Sequence, residues 1–257
     1  MKIAISGKGG VGKSTFAAGL ALTLAKKGGK VLALDADPDA NLAAALGIPS
    51  EQQKLIVPIS RQIELIEERT GVKVDQYGKV FKLNPEVSDI ADTYAFNHNG
   101  VSLLVLGAIK TGGGGCACPE STFIRALVND LVLFKNETLI MDMEAGIEHL
   151  GRATAQGVDV MIVVVEPGQR SIDCATTVVR MSKEIGIKKL MFVLNKVASK
   201  EDEDFIRKAL PGQEIIAVFP YSSSIRNADR DGVSVLDVLD EELSSKFDDV
   251  INKIIGA

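Results

Sequence analysis

The sequence predicts an α/β domain with a doubly wound, mostly parallel sheet flanked by helices. Three observations carry that expectation. Short runs rich in leucine and β-branched residues alternate with longer stretches of helical periodicity. The runs are continuously apolar, as strands covered on both faces are. The first run also passes through a glycine-rich turn straight into the first helical stretch, as a βαβ unit begins.

The first strand is expected at KIAIS, residues 2–6, followed by VLALDAD from Val31, LLVLG around Leu103 and TLIMDM at residues 138–143. VMIVVV at 160–165, KLMFVLN at 189–195 and EIIAVFP at 214–220 complete the set. Residues 14–27, 120–134 and 171–185 space apolar side chains by three and four, which places crossover helices between strands. Gly28 and Gly186 stand where a helix C-terminus favours the left-handed conformation. One stretch, residues 48–100, breaks the rhythm with an expected helix over 59–70 and a small hairpin in VDQYGKVFKL turning at Tyr77 and Gly78. Too short to bury its own core, it reads as an elaborated crossover inside one domain spanning residues 1–257. Near the end, Leu243, Phe247, Val250, Ile251 and Ile254 form one stripe, a helix made to dock on the sheet. A membrane-lying helix needs a basic polar face, which this one lacks.

With 46% hydrophobic and 25% charged residues the chain has a globular balance, which excludes a disordered or collagen-like protein. Acidic residues outnumber basic ones by 34 to 29, for a net charge of -5, which argues against binding nucleic acid through bulk charge. No apolar run approaches the ~20 residues of a membrane span. MKIAIS leads into the glycine turn without an apolar leader, so a cytoplasmic protein with neither nucleic-acid nor membrane partners is expected. Three cysteines, odd and sparse, predict a reducing compartment and a role other than stapling the chain.

The densest chemistry lies in GKGGVGKST, residues 7–15, where Gly7, Gly12, Lys13 and Ser14 satisfy the G-x-x-x-x-G-K-[ST] pattern between strand and helix. Backbone N–H groups across Gly9, Gly10, Val11, Gly12, Lys13, Ser14 and Thr15 are expected to turn onto phosphate oxygens, aided by the positive end of the helix. Lys13 adds a point charge on the β- and γ-phosphates, and Ser14 is the expected Mg2+ ligand.

A second lysine, Lys8, sharpens the reading, because KGGVGK resembles the deviant P-loop of the MinD-type ATPases, the group of the nitrogenase iron protein, ParA and the arsenite-pump ATPases. The resemblance implies a MinD-like P-loop NTPase that hydrolyses ATP and forms a homodimer with ATP. In that dimer Lys8 reaches the partner's nucleotide, by the logic of an arginine finger. It further implies that Asp37 of DADPDAN orients the attacking water, that Asp142 of MDMEAG holds Mg2+ through water, and that Gly146 follows the γ-phosphate. Lys8, Lys13 and Asp37 then form the catalytic set. Asp39 or Asn41 serves equally as a simple N-cap for the LAAAL helix, and the two roles are compatible. LNKV at 194–197 is similar to the guanine-reading N-K-x-D of GTPases, but Ala198 stands in the aspartate's place. Without that carboxylate guanine's two donors lose their acceptor, so ATP is favoured over GTP. Asn195 is expected beside the adenine, and the resemblance places Pro220 and Tyr221 over the base.

TGGGGCACPES, residues 111–121, sets Cys116 and Cys118 on a glycine-rich stretch after the third expected strand. Two thiolates leave a closed zinc site or a planar nickel site half filled, and a symmetric dimer supplies the other two. Inert loop thiols are the plainer alternative. Together KGGVGKST, DADPDAN, the CAC stretch, MDMEAGIEHLGR and VEPGQRSI resemble the CooC family of nickel-handling ATPases that mature carbon monoxide dehydrogenase. This implies Ni2+ held by Cys116 and Cys118 of two chains, with Zn2+ competing in vitro, and a client nickel enzyme, carbon monoxide dehydrogenase or acetyl-CoA synthase. Three other readings fit less well. A spatial-organising ATPase of the MinD or ParA sort needs a membrane helix or a DNA-binding patch, and an iron-protein-like reductase needs a cysteine where Met143, Glu144 and Ala145 stand. A P-loop Fe–S scaffold shares the paired thiolates. Cys174 reads as a small buried apolar residue, and His98 and His149 lack metal-like spacing.

Overall fold

Eight strands form one sheet among the described residues of this computed structural model, which are 1–73, 81–108, 118–133, 137–144 and 152–256. They are β1 (Lys2–Ser6), β2 (Val31–Ala36), β3 (Phe96–His98), β4 (Val101–Val105), β5 (Thr138–Met143), β6 (Val160–Val165), β7 (Leu190–Val197) and β8 (Ile215–Pro220). Their order is β3-β4-β2-β5-β1-β6-β7-β8, parallel throughout except for the β3–β4 pair. The seven expected strands all form. The eighth, β3, belongs to a hairpin whose two-residue turn is Asn99-Gly100, with φ of 47° and 79°. That is the Asn-Gly signature of a type I′ turn, legible in FNHNGVS but hidden because only three residues precede it.

The helices are α1 (Lys13–Lys26), α2 (Leu42–Ala45), α3 (Ser50–Gln53), α4 (Ile63–Thr70), α5 (Ile90–Tyr94), α6 (Pro119–Leu133) and α7 (Arg152–Gln156). α8 (Gln169–Ile185), α9 (Lys200–Ala209), α10 (Ser223–Asp231) and α11 (Glu241–Ile255) follow. Gly28 and Gly186 take φ of 84° and 86° after α1 and α8. The helix expected over residues 59–70 is broken. A 3-10 turn, Ile59–Arg61, precedes α4, and the Ser60 N–H donates to the Leu106 carbonyl at 2.9 Å, so the chain is tied to the end of β4 before it can start a regular helix. The expected hairpin at Tyr77 and Gly78 lies outside the described residues, as do Cys116, Gly146 and His149.

Continuously apolar strands deliver side chains alternately to two cores. Met161, Val163 and Val165 of β6 join a cluster with residues of α4, α6 and α8, while Val160, Ile162 and Val164 join one with residues of α1 and α11. All five stripe residues of α11 are buried there, and Phe247 packs against Phe16 and Phe219 with ring centroids 5.7 and 5.0 Å away. Among the described residues no helix is long and apolar enough to cross a membrane. Because the long strands run parallel, their carboxyl ends share one edge. Gly7, Asp37, Glu144, Glu166 and Tyr221 all follow strands there, flanking the point where the strand order reverses around β1.

Candidate functional site: a phosphate cleft at the sheet edge

The turn between β1 and α1 is held by close backbone approach. Gly7 has φ 147°, and a Cβ there would run into the Val164 carbonyl of β6; Gly12 has φ 96°, and its Cβ would lie 2.5 Å from Asn195 Nδ2. Only glycine fits both places. α1 begins immediately after Gly12 with no side-chain cap, so its N-terminal amides open into a cleft of about 500 Å3. Gly9, Gly10, Gly12, Lys13, Ser14 and Thr15 line one end of it, together with Asp37. Val11 is placed otherwise: its side chain is fully buried and its N–H donates to the Lys8 carbonyl. Pro220, Tyr221 and Arg226 line the other end, where Arg226 Nη1 donates to Tyr221 Oη at 3.4 Å, and Asn195 lines the cleft against the loop.

Three carboxylates stand beside the phosphate end. Asp142, fully buried on β5, has neither oxygen in a hydrogen bond of ordinary geometry among the described residues. Burial lifts its pKa to about 6, against the downward pull of the Ser14 hydroxyl and the Lys13 ammonium. A buried carboxylate with unspent oxygens beside Ser14 is the donor set that a hydrated divalent cation completes, so these residues fit Mg2+. Asp37 lies 3.8 Å from Lys13 Nζ through Oδ2 and accepts the Asp39 N–H at 3.0 Å through Oδ1. Asp35 is opposite Asp142 in the β2–β5 register, and burial, then the Asp142 charge, lifts its pKa to about 7. Its Oδ1 accepts the Asp37 N–H and its Oδ2 the Leu42 N–H, at 3.3 and 2.9 Å. The α2 N-terminus is therefore capped by Asp35 across the turn. Neither Asp39 nor Asn41 makes the cap, because Asn41, at the N-cap position, has no side-chain cap bond and its amide donates to the Asp39 carbonyl instead.

The two loop lysines are held differently. Lys13 is 6% exposed at the first position of α1. Lys8 leaves the cleft lining and pairs with Glu166 at 2.9 Å, and Lys196 binds the other oxygen of Glu166 at 3.2 Å. Partial burial works against the Glu166 charge, but the two lysines outweigh it and hold its pKa below the usual glutamate range. Asn195 Nδ2 donates to the Val11 carbonyl at 2.8 Å, bracing the loop while its side chain lines the cleft. At Ala198 the N–H donates to Asp202, whose own N–H is capped by Ser199, so the nearby carboxylate is spent on the start of α9.

Of the paired cysteines, Cys118 is described. It precedes Pro119 at the start of α6, its carbonyl accepts the Thr122 N–H, and its Sγ meets the Ser121 N–H at 3.4 Å and Oγ at 3.1 Å. Among the described residues no three His, Cys, Asp or Glu side chains gather as a metal needs. Cys174 on α8 is half-buried, not fully buried, packed against the α8-side core. Burial raises its pKa, and the charges of Lys13 and Lys8 oppose the rise. His98 Nε2 is paired with its neighbour Asn99 on the exposed hairpin.

A glycine turn on a parallel sheet, an uncapped helix N-terminus and buried carboxylates beside it define a P-loop ATPase. A family model, the CobQ/CobB/MinD/ParA nucleotide binding domain, matches residues 2–235, and the chain belongs to that family. Within it the chain is an ATPase of the CooC type, 42% identical over 238 residues to the carbon monoxide dehydrogenase accessory protein CooC of Rhodospirillum rubrum, covering 93% of this chain and 90% of that protein. It is also 40% identical to an uncharacterized ATP-binding protein of Methanocaldococcus jannaschii, over 99% and 98% of the two chains. Among solved structures it resembles the MinC:MinD cell division complex of Aquifex aeolicus with a TM-score of 0.70 at 21% identity, covering 99% and 95% of the chains. MinD of Pyrococcus horikoshii with Mg-ADP superposes with a TM-score of 0.68, also at 21% identity, over 99% and 96%. These two share the fold.

Sequence reasoning missed Glu166, Lys196, Asp35 and Arg226. Glu166 and Asp35 carried a usable signal, a carboxylate at or just beyond the carboxyl end of an apolar strand. Lys196 stands in the LNKV segment, whose pattern reads for the base alone, and Arg226 had no signal, since only the fold brings α10 to the cleft.

Proposed function

We propose that this ATPase is a metal-handling accessory factor. Two chains close on ATP and Mg2+ and hold one Ni2+ between their Cys116 and Cys118 thiolates, for delivery to a nickel enzyme such as carbon monoxide dehydrogenase or acetyl-CoA synthase. The observation that carries this reading is near-full-length similarity to an accessory protein of carbon monoxide dehydrogenase, in a chain that bears a C-x-C pair.

For ATP hydrolysis, the loop amides and Lys13 bind the β- and γ-phosphates, and Asp37 orients water for in-line attack. Ser14 and Asp142 would hold Mg2+, which when bound neutralises phosphate charge. Lys8 supplies a cation to the partner's nucleotide, so the charge is complete only in the dimer. Asn195, Pro220 and Tyr221 receive the adenine end. The Leu106 N–H donates to the Asp35 carbonyl at 2.9 Å, so the segment entering the thiol stretch is bonded to the strand that leads to Asp37. This supports coupling between nucleotide and metal.

Titration calorimetry of Ni2+ into reduced protein with ATP tests the reading. One metal per two chains is expected, lost in Cys116→Ala and in Cys118→Ala. One metal per chain, or binding that survives both substitutions, rejects the shared site and leaves the ATPase standing.

A further inference from the structure

Glu166 follows β6 at the edge that carries the phosphate loop, and each of its oxygens takes a different lysine, Oε1 from Lys8 at 2.9 Å and Oε2 from Lys196 at 3.2 Å. The carboxylate is anchored. Its backbone N–H donates at 3.1 Å to the hydroxyl of Ser171, a residue 2% exposed on α8. Lys196 is anchored too: it holds a left-handed φ of 57° where β7 slips register against β8, and its ammonium also donates to the Gly10 carbonyl at 2.5 Å. Lys8 is the loose member: on a glycine-flanked turn, its ammonium has Glu166 as its one hydrogen-bond partner among the described residues, where the similarly exposed Lys196 has two.

We propose that Glu166 is a positioning residue for Lys8: it holds this lysine on its own chain and competes for it with the phosphates of a second copy's nucleotide. The inference rests on the reading of Lys8 as a lysine that acts across the dimer. Its physical basis is the charge count of the cluster, two cations on one anion. A carboxylate stripped of its only cation in a partly desolvated place is strongly destabilised. Glu166 avoids that, because Lys196 stays when Lys8 leaves. The pair given up is part-exposed, and such pairs are weak. Lys8 is thus the surplus cation, retained weakly enough for a triphosphate to take it. Glu166 thereby sets how much ATP is needed before two chains associate.

The test is ATP-dependent dimerisation of the full chain by light scattering, in an Asp37→Ala background that preserves the nucleotide. Glu166→Gln removes the competing charge and is expected to lower the ATP concentration for half-maximal dimer about fivefold, the scale of a part-exposed ion pair. Glu166→Asp, which withdraws the carboxylate by one methylene, should move it the same way and serves if the first variant does not fold. Adding Lys8→Ala should abolish the dimer whatever stands at 166, since Glu166 acts only through Lys8. An unchanged or raised ATP requirement in the Glu166 variants, with Lys8→Ala unable to dimerise, overturns the inference and keeps the trans lysine. A dimer formed by Lys8→Ala/Glu166→Gln but not by Lys8→Ala also overturns it. Normal dimerisation of Lys8→Ala alone removes the trans lysine itself, and the inference with it.

Discussion

The two ends of the nucleotide cleft are made of different materials. The phosphate end is built on backbone: Gly7 against the Val164 carbonyl, Gly12 at positive φ against the Asn195 amide that is itself bonded to the Val11 carbonyl, and the bare N-terminus of α1 directly after them. The base end is side chain on side chain, with Tyr221 48% exposed and bonded to an exposed Arg226, above the buried rings of Phe16, Phe219 and Phe247. Main-chain contacts tolerate no added atom, whereas exposed side chains shift rotamer to suit. The phosphate end is therefore expected to fail abruptly when altered and the base end by degrees.

The harshest way to probe that contrast is Gly7→Ala, which puts a methyl into a main-chain carbonyl at φ 147°. It should cost about 3 kcal/mol of stability or more, from backbone strain plus overpacking, and abolish ATP binding, read by urea unfolding and nucleotide titration. Gly28→Ala serves as the comparison, because Gly28 also has positive φ but nothing within 4 Å of a new Cβ. Equal losses at both sites would mean that φ alone, not contact with β6, makes Gly7 obligatory.

Next in size are the charged groups of the phosphate end. Lys13→Ala and Asp37→Ala should lower kcat about 100- to 1000-fold, the range for removing one preorganised electrostatic contact. Asp37→Ala should still bind ATP. Unchanged turnover in Asp37→Ala would withdraw its role in orienting water.

At the base end, Tyr221→Ala and Arg226→Ala should raise KM for ATP by about threefold to tenfold with kcat nearly constant, as loss of uniform binding does. A fall in kcat with KM unmoved would show instead that these side chains act on the chemistry, and the contrast between the two ends would collapse.

The smallest effect is on pH. Asp35 and Asp142 titrate near 3.8 when unfolded but near 7 and 6 when folded, chiefly through burial. Between those values the folded protein binds more protons than the unfolded one, so metal-free stability falls as pH rises from about 4 to about 7, and below 4 this cost is absent. Urea midpoints in chelator should drop over that window, and less steeply in Asp142→Asn. An equal slope in that variant would assign the dependence to other groups.

How much of this was legible in the sequence follows the same division. KGGVGKST announced the phosphate loop because backbone approach demands glycine at fixed spacing, and the seven continuously apolar runs announced strands buried on both faces. β3 escaped because three residues carry too little periodicity, although its Asn99-Gly100 turn was in view. The helix over 59–70 was expected unbroken because periodicity does not register the Ser60 bond to Leu106, a partner 46 positions away. The α2 cap went to Asp39 or Asn41 on local rules, while Asp35, seven residues before Leu42, takes the N–H because the chain turns back over the end of β2.

By itself, then, the sequence determined the fold class and the phosphate loop with its Lys13 and Ser14, while Asp37 and Asp142 joined that neighbourhood through the resemblance to MinD-type ATPases. The fold class and the loop are dictated by local pattern and by the rule that parallel strands open their ligand site at the carboxyl edge. Only the tertiary structure decided which groups share a charge or a bond across that edge. Glu166, Lys8 and Lys196 meet because β6 and β7 lie side by side next to β1, and Asp35 faces Asp142 because β2 pairs with β5 in that register. The reason is physical: a side chain's pairing energy depends on distance and burial, and both are set by strand order, a long-range property that no window of the chain contains.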